Sequence, residues 1–205
     1  VKTFRRLCQG SKEAVQSGLE LDMFDKYMHI ERPIDKAVRD TMNMIRNEGG
    51  GILFLVGSAG DGKSHMISTL KQEYTDFDYR NDASESPWPN VESIDALKIF
   101  LEDFKDVTLH TTSTKMLVAI NMGKLSAFID DEEVRTEFSQ IAKYAKTLFD
   151  EDNLRHEESE RVKIVSFTNH QIFELYPEHK DSTYPVDSYF IKNVLCKITE
   201  NSADN

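Results

Sequence analysis

An α/β fold with a mainly parallel sheet flanked by helices is what this 205-residue sequence predicts, and three observations carry that expectation. Ile52-Leu53-Phe54-Leu55-Val56 is apolar at every position, the pattern of a parallel strand covered on both faces. The stretches before and after it have helical spacing. Beyond them, strand-like and helix-like segments alternate, which implies crossover connections and parallel pairing.

Taken in order, Ile34, Ala37, Val38, Met42 and Ile45 mark a first helix, with Pro33 in its first turn and Gly49-Gly50-Gly51 as its stop and a flexible joint. Residues 63–74 return to helical spacing through Met66, Ile67, Leu70 and Tyr74. Further strands are expected at 77–81, 116–121 and 162–169, separated by helices at 94–104 and 134–149. The second of these helices puts Val134, Phe138, Ile141, Ala145, Leu148 and Phe149 on one stripe. Short helical patterns occur at 171–176 and 188–199, and the charged stretch 150–161 reads as a solvated connection. Residues 1–32 are expected to be an N-terminal segment leading into the site described below, and residues 33–205 the α/β domain.

Composition narrows the class. The chain has 25 Lys and Arg against 36 Asp and Glu, a formal net charge of −11, which argues against wrapping naked nucleic acid by itself. At 39% hydrophobic and 30% charged it has the make-up of a soluble globular protein rather than a disordered one. No apolar run is longer than residues 52–56, which are too few for a membrane span. Cys8 and Cys196 stand near opposite ends with no zinc spacing, and the N-terminal stretch lacks the apolar core of a secretory signal, so a reducing, cytoplasmic setting is expected. The chain starts without Met and stops in a polar tail, as a piece of a longer protein truncated on its C-terminal side would.

The sharpest motif is Gly57-Ser58-Ala59-Gly60-Asp61-Gly62-Lys63-Ser64, which fits G-x-x-x-x-G-K-[ST] between a predicted strand and a predicted helix. Glycines let successive N–H groups turn inward around a phosphate, and the following helix adds its N-terminal dipole. The motif therefore predicts a three-layer P-loop NTPase fold that binds ATP with Mg²⁺. Lys63 would reach the β- and γ-phosphates, Ser64 would ligate the metal, and the amide of His65 would meet the α-phosphate.

Hydrolysis also needs an acid near the metal and a group that orients the attacking water. The strand at 116–120 ends in Asn121 rather than in a carboxylate, so Asn121 is a candidate γ-phosphate sensor or a plain turn former. Asp82 and Glu85, just after the predicted second strand, are the nearest acids at a strand end, with Asp82 the candidate metal ligand. Asn169 closes the last strand as a second polar sensor candidate. Upstream, residues 27–34 are placed either to cover an adenine or to pack in the core, and Trp88, between Pro87 and Pro89, reads as a loop anchor.

Several segments in combination, ILFLVGSAGDGKSH, the NDASES loop, MLVAINMGKL and VKIVSFTN, resemble the DptF family of DNA phosphorothioation-dependent restriction proteins, from about Arg6 to the end of the chain. The match corresponds to the N-terminal ATPase portion of a longer protein. The resemblance implies a bacterial defence role: ATP binding and hydrolysis within a multi-subunit complex that restricts DNA lacking a phosphorothioate modification. It also implies partner subunits, DNA contacts made through them or through further domains, and possible homo-oligomers. A different class of function, a switch that binds ATP and assembles partners without turnover, is favoured by the lack of an obvious acid. A small-molecule kinase ranks last, because no arginine-rich lid is visible.

Overall fold

The computed structural model describes residues 27, 29–81, 83, 88–149, 160–170, 174–175 and 186–200. Its centre is a sheet of four parallel strands, β1 (Gly51–Val56), β2 (Asp78–Arg80), β3 (Lys115–Ile120) and β4 (Val162–Ser166), in the order β2-β3-β1-β4. Every residue of β1 is buried, which is why its sequence shows no polar alternation.

Alternate strand residues feed two separate cores. Leu53, Leu55, Leu117, Ala119 and Val165 pack with Ile34, Val38, Met42 and Ile45 of α1 (Pro33–Asn47) and Met66, Ile67 and Leu70 of α2 (Lys63–Glu73). On the opposite face, Ile52, Phe54, Val56, Met116, Val118 and Ile120 pack against α3 (Ser93–Phe100), α4 (Met122–Asp130), α5 (Glu132–Glu137) and α6 (Ser139–Lys146). The result is three layers, helices over both faces of one sheet. The β1-to-β2 connection passes β3 in one direction and the β3-to-β4 connection passes β1 in the other, so the two crossovers lie on opposite faces. Their divergence places the topological switch point of the sheet between β1 and β3, at the carboxyl ends of the strands.

Several expectations shift on contact with the structure. The predicted helix at 94–104 is α3 followed by a 3₁₀ turn, Glu102–Phe104. The one at 134–149 breaks into α5 and α6 at Phe138, although Val134, Phe138, Ile141 and Ala145 are all fully buried as their stripe requires. A tertiary cap causes the break: the Asp106 carboxylate accepts from the amides of Ser139 and Gln140 at 2.8 and 3.0 Å, and the amide of Asp106 donates to the Glu137 carbonyl.

α4 had no counterpart in the sequence reading. The strand expected at 162–169 stops at Ser166, whose hydroxyl accepts from the Thr168 amide and curls Phe167–Asn169 into a 3₁₀ turn. Residues 174–175, within a stretch read as helical, instead form β5 (Glu174–Leu175), antiparallel to β6 (Val186–Asp187). The pattern at 188–199 is α7 (Tyr189–Glu200).

Gly50 and Gly51 of the triple glycine are packed rather than loose, whereas Gly49 faces open space. A Cβ on Gly50 would lie 2.4 Å from the Thr112 carbonyl oxygen, and Arg161 donates to the carbonyls of Gly50 and His110 at 2.8 and 3.2 Å. Among the described residues, no helix is long and apolar enough to cross a membrane.

Candidate functional site

The register sets the level of the site. Val56 pairs with Ile120 on one side and Ser166 on the other, so Gly57, Asn121 and Phe167 leave the sheet side by side. The Gly57 amide still donates to the Ile120 carbonyl at 3.2 Å, and the loop lifts off from there.

Gly60 and Gly62 have φ of +90° and +87°, a left-handed conformation that side chains resist. Gly62 is also the N-cap of α2, and no side chain caps that helix end. Gly57 is small for a different reason: a Cβ there would sit 2.7 Å from both Asp61 Oδ2 and Phe167 Cδ2. Ala59 is exposed at the loop tip and Ser64 is half-buried in the first turn of α2.

Groups of the loop hydrogen-bond to one another. The Lys63 ammonium folds back to donate to the carbonyls of Gly57 and Ser58 at 2.8 and 2.6 Å. The Asp61 carboxylate accepts from the Ser58 amide at 2.5 Å. An ammonium and an uncapped helix start thus converge on one short loop, an arrangement that can attract and orient a phosphate-like anion. For Mg²⁺, the described groups fit a limited role. The ion keeps most of its ligands as water and substrate phosphate, and the Ser64 hydroxyl at the second helical position is one suitable oxygen. No cluster of three or more His, Cys, Asp or Glu that could hold a metal occurs among the described residues.

The other candidates fall into three groups. Asn121 caps α4, its Oδ1 accepting from the Lys124 amide at 2.8 Å, and it closes a strand directly beside β1. Asn169 ends the 3₁₀ turn after β4 and is exposed. Asp82 and Glu85 lie outside the described residues, although their neighbours place the β2 end. The amide of Ala83 donates to the Ala119 carbonyl, and Asn81 Oδ1 is buried without a hydrogen-bond partner. Two strand spacings, about 10 Å, separate β2 from β1. Trp88 stacks on Phe100 with ring centroids 5.2 Å apart, and the Arg80 guanidinium lies 3.7 Å from the centroid of the same ring.

From the upstream segment, His29 stacks on His65, with Nδ1 and Nε2 3.1 Å apart. Ile30 is buried, whereas Tyr27 is exposed and its hydroxyl donates to the Lys197 carbonyl of α7. Sequence reasoning passed over Arg32, which donates to the Asp61 carbonyl at 2.9 Å. Its signal was visible as Arg32-Pro33-Ile34-Asp35, a capping pattern at a helix start: the Arg32 amide donates to Asp35 Oδ2 at 2.7 Å.

The site thus belongs to an α/β protein whose parallel sheet presents a glycine-rich strand–loop–helix at its carboxyl edge. No protein-family model, curated protein or solved structure matches the chain.

Proposed function

We propose that this chain is a P-loop ATPase module that binds Mg²⁺-ATP at residues 57–65 and couples its hydrolysis to a conformational step in a larger assembly. The observation that carries the reading is the loop itself: two left-handed glycines, the Lys63 ammonium turned onto the loop's own carbonyls, and an uncapped helix start beside the central strand. In this scheme Lys63 exchanges the Gly57 and Ser58 carbonyls for phosphate oxygens and offsets charge developing on the transferred phosphoryl group. Asp61 leaves the Ser58 amide, which turns to the phosphates. The Ser64 hydroxyl would hold Mg²⁺, which would supply positive charge to offset that developing on the phosphates. Asp82 or Glu85 supplies the carboxylate that β3 and β4 do not carry at their ends, with Asn121 and Asn169 as the sensors.

The segments that resemble restriction proteins support a cytoplasmic defence setting, in which other subunits, further domains or copies of this chain complete the assembly and contact DNA. The second reading, an ATP-dependent assembly switch without turnover, is favoured by one observation: the residue closing β3 is an asparagine already engaged as a helix cap.

Titration calorimetry of the chain with ATP and Mg²⁺, beside a Lys63→Ala variant, followed by phosphate release, tests both. The ATPase reading expects binding that is lost in the variant, together with release. Binding without release in the full assembly selects the switch, and equal binding in both proteins overturns the loop assignment.

A further inference from the structure

We infer that Arg32 is a positioning residue for the glycine-rich loop, aiming the Gly62 amide at the bound phosphate by holding the peptide from behind. The inference rests on the phosphate-binding reading above and assigns that site a residue outside the motif.

Arg32 is largely buried, its side chain 13% exposed, at the start of α1. Its guanidinium divides its donors. Nε and Nη2 reach the two oxygens of Asp35, which is 3% exposed, at 3.0 and 3.3 Å, while Nη1 donates to the Asp61 carbonyl at 2.9 Å. The same planar group lies over the Phe167 ring, 5.3 Å from its centroid. Arg32 therefore ties together the helix before β1, the turn after β4 and the loop between β1 and α2.

The consequence follows from peptide geometry. The Asp61 carbonyl and the Gly62 N–H belong to one planar trans unit, so they point in opposite directions. Fixing the carbonyl on Arg32 directs the Gly62 N–H away from Arg32. Gly62 needs this help, because its left-handed backbone and lack of a side chain leave the peptide intrinsically free to turn. A Cβ at Gly62 would come within 3.2 Å of Arg32 Nη1, so the two groups are in close contact.

A lysine could not do the same: one ammonium cannot reproduce a fork that serves a carboxylate on one side and a carbonyl on the other while its carbon lies over an aromatic ring. Because removing Arg32 alone would strand the buried Asp35 charge, the informative comparison is Asp35→Asn against the double variant Arg32→Met with Asp35→Asn.

Calorimetric titration of wild type, both variants and Arg32→Lys with Mg²⁺-ATP and with inorganic pyrophosphate, alongside thermal unfolding without ligand, makes the test. Asp35→Asn should bind near wild-type strength. The double variant and Arg32→Lys should bind both probes roughly tenfold or more weakly, the loss expected when one hydrogen bond serving a charged ligand is misaimed. The double variant should unfold at the same temperature as Asp35→Asn. Unchanged affinity in the double variant, or loss of its cooperative unfolding, would overturn the inference, the latter by making Arg32 a strut of the fold. Should wild type bind neither probe, the phosphate reading itself fails; wild-type binding that Lys63→Ala abolishes but the double variant keeps defeats Arg32 alone.

Discussion

Asp61 holds a position that an incoming phosphate would need. Its carboxylate accepts from the Ser58 amide and sits against Gly57, so an anion entering the loop meets both a blocked donor and a like charge. Asp61→Asn keeps an acceptor for the amide but removes the charge, and pyrophosphate should then bind several-fold more tightly, on the order of 1 kcal/mol for a charge a few ångströms away in a solvated site. Competition titrations at two salt concentrations check this, since the gain should shrink as salt rises. At Gly57 the constraint is steric. Gly57→Ala must displace the Phe167 ring or the Asp61 carboxylate, and overpacking of this kind costs about 1–3 kcal/mol of stability, measurable by urea unfolding.

Among the elements, α4 depends on Asn121 for its start. Asn121→Ala removes the bond to the Lys124 amide and should lower stability by about 1 kcal/mol, whereas Asn121→Asp keeps the cap and should unfold like wild type. If Asn121 also senses the γ-phosphate, the aspartate variant will bind ATP but turn it over at an altered rate, which separates the two roles in one protein. The strands and helices that were legible in the sequence are those whose burial is decided locally: β1 by five consecutive apolar residues, α1 by its spacing and Pro33, α2 by the glycine loop before it.

Others were set from a distance. Phe138 sits on the correct stripe, yet Asp106, from a remote turn, ends one helix there and starts the next. α4 was missed even though Leu125, Phe128 and Ile129 are spaced as a helix requires, because the capping asparagine was read as a strand end. The site divides in the same way: the loop is contiguous and could be read directly, whereas Arg32 and Phe167 reach it only through tertiary structure.

For the molecule as a whole, the edge of the sheet opposite the loop is tied by charge. Asp76, in the turn before β2, is bonded by Arg46 from the last turn of α1 and, at 3.3 Å, by Lys115 at the start of β3. The Arg46 guanidinium holds its carboxyl down at about 2. A carboxyl depressed in the folded state contributes stability above its ordinary value and loses it as pH falls through the lowered one. The unfolding midpoint of wild type should therefore exceed that of Asp76→Asn at neutral pH, and the gap should close between pH 4 and pH 2. Because Asp76 is more than a third exposed, added salt should narrow the gap as well.

The strand order carries one more consequence, for synthesis. β1 lies between β3 and β4, so neither of its neighbours exists when the ribosome releases Ser64. The Phe167 ring that rests against Gly57 emerges later still. At ordinary elongation rates roughly 5–20 s separate the making of the glycine loop from the making of Phe167. During that interval the nascent chain carries an apolar strand with both edges open, and the packing of Phe167 against Gly57 must wait until β4 has been translated.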